Sequence, residues 1–153
     1  VRRHPLIIAT EQQLLSTKPG EYGLSYARSE RSLDVSVGRT SMRRALSILD
    51  GLIKRVEKAG GKVFVSREQP SRTVVRLDGV DLKVKMYELT TRSEHIPNKT
   101  EQEDIRKGHS WGVPKWDHAP SGDIVFEIDD YLGENGHPGA TTRYRSPDRT
   151  ALM

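Results

Sequence analysis

Residues 40–90 contain most of the apolar side chains in this chain that are spaced to form a core. From Met42 to Val56 the apolar residues recur at helical spacing, which predicts one amphipathic helix. Three short apolar runs follow, and Asp78-Gly79 separates the last two. This dipeptide predicts a two-residue hairpin turn, because both of its positions need a positive φ. A helix followed by three antiparallel strands predicts an α+β fold.

Two further runs, at residues 33–37 and 123–129, alternate between apolar and polar side chains, and each predicts a strand with one buried face. Thr10 and Thr100 are predicted N-caps of two short helices, because Gln or Glu follows each at capping-box spacing. We therefore expect an antiparallel sheet of four to five strands. The main helix should pack on one face of that sheet, with one or two short helices beside it.

The length of 153 residues fits a single α+β domain, which we place at residues 1–130. After Tyr131 the chain is rich in Gly, Pro, Thr and Arg and has almost no apolar residue. Residues 131–153 are therefore predicted to be a disordered tail. The first residue is Val1 rather than Met, and we expect a C-terminal fragment of a longer protein.

Several classes of protein are excluded by what the sequence lacks. It has no cysteine, which excludes disulfides, cysteine-based zinc sites and thiol catalysis. No apolar run approaches the roughly 20 residues that cross a bilayer, so we expect no membrane partner and a cytoplasmic location. Glycine-rich phosphate loops and the common hydrolase and metalloprotease motifs are also absent from the sequence. We therefore expect no cofactor and no metal.

The first candidate site is the start of the main helix, where Arg39, Arg43 and Arg44 lie on or before the first turn. Cations at this end oppose the helix dipole, and a bound phosphate would reverse that unfavourable interaction. Residues 1–60 hold 11 Lys/Arg against 6 Asp/Glu, so we predict that nucleic acid binds through this basic N-terminal half. The alternative is that these arginines are solvated, or pair with Asp34 or Glu30.

The second candidate is Glu88, because the alternation from Val80 onward places this carboxylate on the core face of its strand. A buried carboxylate needs a partner, and Arg92 or His95 is close in sequence. We favour a structural ion pair that ties the strand end to the following loop. In the alternative, Glu88 and His95 form an acid–base pair or a pair of metal ligands, with Glu94 or Asp123 nearby.

The third candidate is the polar loop that contains Trp111 and Trp116. Two indole rings beside Lys115 would stack on bases or bind a peptide. The favoured alternative is that both rings fold back over the sheet and cover the edge of the core, since the domain has few other large apolar side chains.

Several segments of this chain carry a resemblance to a known group of proteins. These segments are Arg44–Lys54, Thr73–Gly79, Glu88, Arg92–Pro97 and Pro120–Asp123. On them, over about residues 4–130, the chain resembles the C-terminal region of uncharacterised bacterial proteins whose N-terminal part looks like a DNA-binding helix-turn-helix. The resemblance implies association with DNA and implies no particular reaction.

Two hypotheses follow for the function. The first is a non-enzymatic accessory, oligomerisation or sensing module of a bacterial DNA-associated protein, which would form a homo-oligomer or bind nucleic acid. The alternative is a small hydrolase or nuclease that uses Glu88 and His95, with Asp123. The alternative requires these side chains to converge in one open cleft.

Overall fold

The computed structural model describes residues 2–129 and 141–147. Within them the protein is an α+β fold with one mixed sheet of seven strands and three α-helices. The α-helices are α1 (Pro5–Ser16), α2 (Met42–Lys58) and α3 (Lys99–Arg106), and a 3-10 turn spans Ser110–Gly112. The strands are β1 (Ser25–Ser29), β2 (Ser32–Val37), β3 (Lys62–Val65), β4 (Thr73–Leu77), β5 (Val80–Glu94), β6 (Trp116–Asp129) and β7 (Thr141–Ser146).

The sheet is built around β5, which is paired on both of its edges. Val84 pairs with β4 and with β6, and Met86 pairs with β2 and with β6. Because a strand has two edges, β6 lies along one of them while β4 and β2 share the other. Outside these strands, β1 pairs with β2, β3 with β4, and β7 with β6.

The predicted sheet was antiparallel with four or five strands, and this is only partly correct. β2 runs parallel to β5, with Val35 opposite Met86. A parallel pair needs a long crossover connection, and α2 with the β3–β4 hairpin supplies it. The turn of that meander is as predicted, since Asp78 and Gly79 have φ of 52° and 77°.

The core lies between the sheet and the two helices α1 and α2. The predicted amphipathic helix is confirmed as α2, whose apolar stripe is buried. Because side chains alternate along a strand, one face of the sheet supplies the opposing apolar residues. The core includes Ala45, Leu46, Leu49 and Ile53 of α2, Ile7 and Leu14 of α1, and Val35, Val63, Val75, Val84, Met86 and Ile124 of the sheet.

The first helix begins earlier than predicted. Thr10 was expected as its N-cap, but α1 starts at Pro5 and His4 is the cap. Proline suits the first helical position because its missing N–H would have no partner there. The Thr10 hydroxyl instead donates to Leu6 O and accepts from the backbone N–H of Leu33, so it joins the helix to β2.

Beyond Thr90, β5 pairs only with β6 among the described strands, and the two form a ribbon that ends at Glu94 and Trp116. Its side chains are mostly exposed, as are α3 and the 3-10 turn that connect its two strands. We call residues 90–120 the arm. The arm extends past the rest of the sheet, because no other described strand accompanies it.

The predicted disordered tail, residues 131–153, is described only in part. Residues 130–140 and 148–153 lie outside the described residues. Thr141–Ser146 form β7, which pairs with β6 over its whole length. This segment contains two threonines and one tyrosine, and β-branched and aromatic residues favour a strand. None of the helices in the described part of the chain has the length and apolar character needed to cross a lipid bilayer.

Candidate functional site

The arginines at the start of α2 are used within the protein. One Arg39 guanidinium nitrogen donates to the carbonyls of Leu15 and Thr17, 3.3 and 3.2 Å away, at the end of α1. Cations are favourable at the C-terminal end of a helix. Arg44 donates to the carbonyl of Gly122, and Arg43 is exposed. Arg39 therefore pairs with neither Asp34 nor Glu30, and two of the three predicted phosphate ligands bind protein carbonyls.

Glu88 is buried on the core face, as the alternation predicted, and is 3% exposed. Its partners differ from those predicted. Oε1 accepts a hydrogen bond from the backbone N–H of Gly38 (2.9 Å), and Oε2 accepts one from that of Gly122 (2.7 Å). Two charge-assisted hydrogen bonds satisfy a buried carboxylate. The predicted ion pair with Arg92 or His95 is therefore wrong.

The structure does not bring Glu88 and His95 together. Both belong to one extended segment, and seven residues at about 3.3 Å each separate their backbones by roughly 20 Å. Arg92 lies between them in sequence, and its guanidinium stacks over the Trp116 ring at 4.2 Å. Asp123 is next to the Glu88 partner Gly122, but its carboxylate contacts Arg145 of β7. The predicted acid–base pair is not assembled.

His95 instead holds the parts of the arm together. Its Nδ1 is 2.7 Å from Asp117 of β6, and its Nε2 is 2.9 Å from Glu101 of α3. These hydrogen bonds raise the pKa of His95 above its ordinary value of 6.5, and the one with Glu101 has the largest effect. Glu101 also caps α3 by accepting from the N–H of Asn98, and this bond together with His95 lowers the pKa of its carboxyl.

Neither tryptophan folds back over the sheet, so the favoured prediction for Trp111 and Trp116 is wrong. Their exposed fractions are 87% and 42%. Both residues belong to the arm, which lies beyond the core-forming parts of β5 and β6. Ile96 and Ile105 of the arm are exposed as well. The arm therefore presents several large apolar side chains to solvent.

A second group of polar residues lies on the face of the sheet opposite α1 and α2. In the described part of the chain no helix covers that face, and we call it the open face. It contains Asp34 of β2, which is only 8% exposed. No hydrogen bond or ion pair to the Asp34 carboxylate occurs among the described residues. Burial raises the pKa of this carboxyl, and the charges of Arg28, Lys85 and Arg72 only partly oppose that effect.

Asp34 lines a depression of about 360 Å³. Arg28, Arg72 and Lys85 border it, together with Tyr26 and Tyr87. We call these six residues the Asp34 cluster. Three cations against one carboxylate give the cluster a positive net charge. Charged and aromatic groups that converge on a concave surface are typical of a binding site.

The sequence contained a partial signal for this cluster. Strict alternation in residues 33–37 already implied that Asp34 and Ser36 face away from the core. What the alternation did not indicate is that β2 lies between β1 and β5, which buries Asp34 among its neighbours. Arg28, Arg72 and Lys85 belong to three other strands or their ends, and no spacing in the sequence connects them.

Among the described residues, no group of three or more His, Asp or Glu side chains is arranged to hold a metal ion. Comparison of the chain with family models, with curated proteins and with solved structures finds no match.

Proposed function

We propose that this domain is a non-enzymatic oligomerisation module, and that the arm is the surface through which two copies associate. The observation that carries this proposal is the exposure of Trp111, Trp116, Ile96 and Ile105 on an element that extends beyond the sheet. Large apolar side chains grouped on an exposed surface mark interaction sites, and tryptophan is enriched among the residues that dominate binding energy.

The charges of the arm favour a second copy as the partner. Residues 90–120 hold five Lys/Arg and five Asp/Glu. A surface with balanced charge neither repels an identical surface nor selects a strongly charged partner. The clasp of His95 with Glu101 and Asp117 supports the proposal further, because it keeps α3 fixed against the ribbon. A rigid surface loses less conformational entropy when it binds.

The resemblance to C-terminal regions of bacterial proteins with a helix-turn-helix-like segment extends this proposal. An oligomerisation module attached to such a segment would pair two DNA-binding units, as dimeric helix-turn-helix proteins do on their two half-sites. The hydrolase or nuclease hypothesis has less support. It requires Glu88 and His95 in one cleft, whereas roughly 20 Å of extended chain separates them.

The test is the oligomeric state, measured by sedimentation equilibrium over a wide range of protein concentration. We expect a dimer that the double substitution Ile96→Ser and Trp111→Ser converts to a monomer. The matched control is Ile8→Ser with Leu15→Ser, which removes two exposed apolar side chains from α1 and should leave the dimer intact. A wild-type protein that is monomeric throughout, or a dimer lost only in the control, would contradict the proposal.

A further inference from the structure

The Asp34 cluster has no role in the core or in the proposed oligomerisation. α1 and α2 pack on the opposite face of the sheet, and the arm begins at residue 90, past the cluster residues of β5. A buried carboxylate without a direct partner is costly, because ionisation then lacks the hydrogen bonds that water would supply. Asp34 carries this energetic cost at a position between β1 and β5. Carboxylates in such surroundings cluster at functional sites.

Two cations of the cluster, Arg28 and Lys85, are held in place by contacts with the protein. Arg28 Nε donates to the carbonyl of Ser71 at 3.0 Å, and Lys85 Nζ lies 3.0 Å from Glu127. Arg143 also pairs with Glu127 at 2.8 Å, so this second carboxylate is matched by a second cation. The net charge around the depression therefore remains positive, which favours an anionic ligand. Arginine and lysine together are the usual ligands of phosphate.

The two tyrosines flank a gap in the middle of the open face. Ser36 of β2 is opposite Tyr26 on one side and Tyr87 on the other. Two strand spacings separate the tyrosine backbones by roughly 10 Å, and the small Ser36 side chain leaves the space between them open. Tyr26 is 45% exposed. An aromatic ring that enters this gap would contact tyrosine rings and, at its base, Asp34.

A second depression lies on the same face, beside β3. Phe64 and Val74 form its apolar floor, and its rim carries both signs of charge. The charged residues of the rim are Arg67, Arg76, Lys83, Glu68, Asp81 and Asp129. The Phe64 ring has Arg76 above it at 4.8 Å and Lys62 at 5.3 Å. Between the two depressions lie Arg72, Lys83 and Lys85, with Glu127 and Asp129 beside them. The open face thus carries two aromatic depressions joined by a strip in which three cations outnumber two carboxylates.

We propose that the open face of the sheet binds single-stranded nucleic acid, with one nucleotide in the Asp34 cluster. The phosphate of that nucleotide contacts Arg28, Arg72 and Lys85. Its base stacks against Tyr26 and Tyr87, and its amino or imino group donates to Asp34. Stacking on aromatic side chains requires unpaired bases, which a duplex keeps inside its own stack.

The experiment measures the binding of a short fluorescent single-stranded DNA by anisotropy, at several salt concentrations. Tyr26→Ala removes a stacking surface and should weaken binding about 5- to 150-fold. Tyr26→Phe retains the ring and should bind like the wild type. Arg72→Gln should weaken binding and reduce the slope of log K against log salt by about 0.7, the value for one phosphate contact with a single strand. The matched control is Arg55→Gln with Lys58→Gln on α2. It should reduce both the affinity and the salt slope by less than Arg72→Gln does.

Several results would overturn the proposal. One is the absence of binding at about 0.1 mM protein, a concentration at which even non-specific association is normally seen. A second is a loss of affinity in the α2 control that equals the loss in Arg72→Gln. A third is a duplex of the same sequence that binds as tightly as the single strand. A mononucleotide that binds as tightly as the oligonucleotide would also overturn it, because the strand would then add nothing. Thermal melts of each variant establish that it is folded.

Discussion

The carboxylate of Glu88 accepts a hydrogen bond from the backbone N–H of Gly122, 34 residues later in the chain, at 2.7 Å. Its other oxygen accepts one from Gly38, 50 residues earlier. One side chain of β5 thereby connects the end of β2 to a bend in β6 where Gly122 has φ of 85°. A negative charge buried in this way stabilises the fold only while both amide donors remain in place.

Glu88→Gln should lower the free energy of unfolding by about 2–4 kcal/mol, because the amide group places a donor opposite one of the two backbone N–H groups. Chemical denaturation measures this change in the free energy of unfolding, and the m-value should remain that of the wild type. Glu94→Gln, at an exposed position on the same strand, is the control and should change stability by less than about 0.5 kcal/mol. Equal effects of the two substitutions would show that the Glu88 hydrogen bonds are unimportant.

Gly38→Ala should destabilise the protein by about 1–3 kcal/mol, the usual cost of overpacking a buried site. A Cβ at this position would lie 2.8 Å from the Cγ of Pro120 and 3.3 Å from the Glu88 carboxylate. Gly51→Ala is the matched control, since nothing lies within 4 Å of a Cβ there. That substitution is in the middle of α2 and should stabilise by about 1 kcal/mol. Thermal unfolding should show a lower melting temperature for Gly38→Ala and a higher one for Gly51→Ala than for the wild type.

The arm should be most stable between about pH 4.5 and 6.5, the ordinary pKa values of its Glu101 and His95 groups. The pKa of His95 is raised in the folded protein, so its contribution is complete below 6.5 and is lost as pH rises through the folded value. The pKa of Glu101 is lowered, so its contribution is complete above 4.5 and is lost as pH falls through the folded value. Hydrogen exchange of α3 amides against pH measures this dependence. His95→Gln should remove the loss at higher pH, and an unchanged profile would contradict the role of the clasp.

Asp34→Asn should stabilise the folded protein at neutral pH by about 1 kcal/mol, since burial disfavours the ionised carboxyl. The pKa of Asp34 is raised on folding, so this group makes the wild type less stable as pH rises from 3.8 through the folded value. Denaturation at pH 3 and pH 7 compares the stability of the two proteins. The variant should lack the loss of stability with rising pH that Asp34 causes. The same substitution should weaken binding of single-stranded DNA, and a gain in stability with a loss of binding is typical of functional sites. Lower stability of the variant at pH 7 would contradict this account.

The elements that the sequence predicted well are those whose signals are local. The apolar stripe of α2 depends on residues three and four positions apart, and the Asp78-Gly79 turn depends on the φ angles of two adjacent residues. The helix boundaries were less accurate. Thr10 looks like an N-cap in sequence, but its hydroxyl is used by Leu6 and Leu33 once α1 packs on β2.

The candidate sites were predicted less well, because their chemistry depends on distant partners. The burial of Glu88 was predicted from alternation, whereas its two backbone donors were not, since amide groups leave no signal in the side-chain sequence. The exposure of Trp111 was the less favoured of two alternatives, because composition alone favoured a buried indole ring. Only the path of β5 and β6 beyond the other strands places that residue outside the core.

By itself, the sequence determined an α+β fold, the main helix, the central hairpin and the inward position of Glu88. Each follows from periodicity or turn chemistry over a few residues, where the chain has little conformational choice. The tertiary structure alone decided that β2 runs parallel to β5, that Asp34 is buried among cations on the open face, and that the arm is exposed. These features depend on contacts between residues far apart in the chain, which local propensities do not specify.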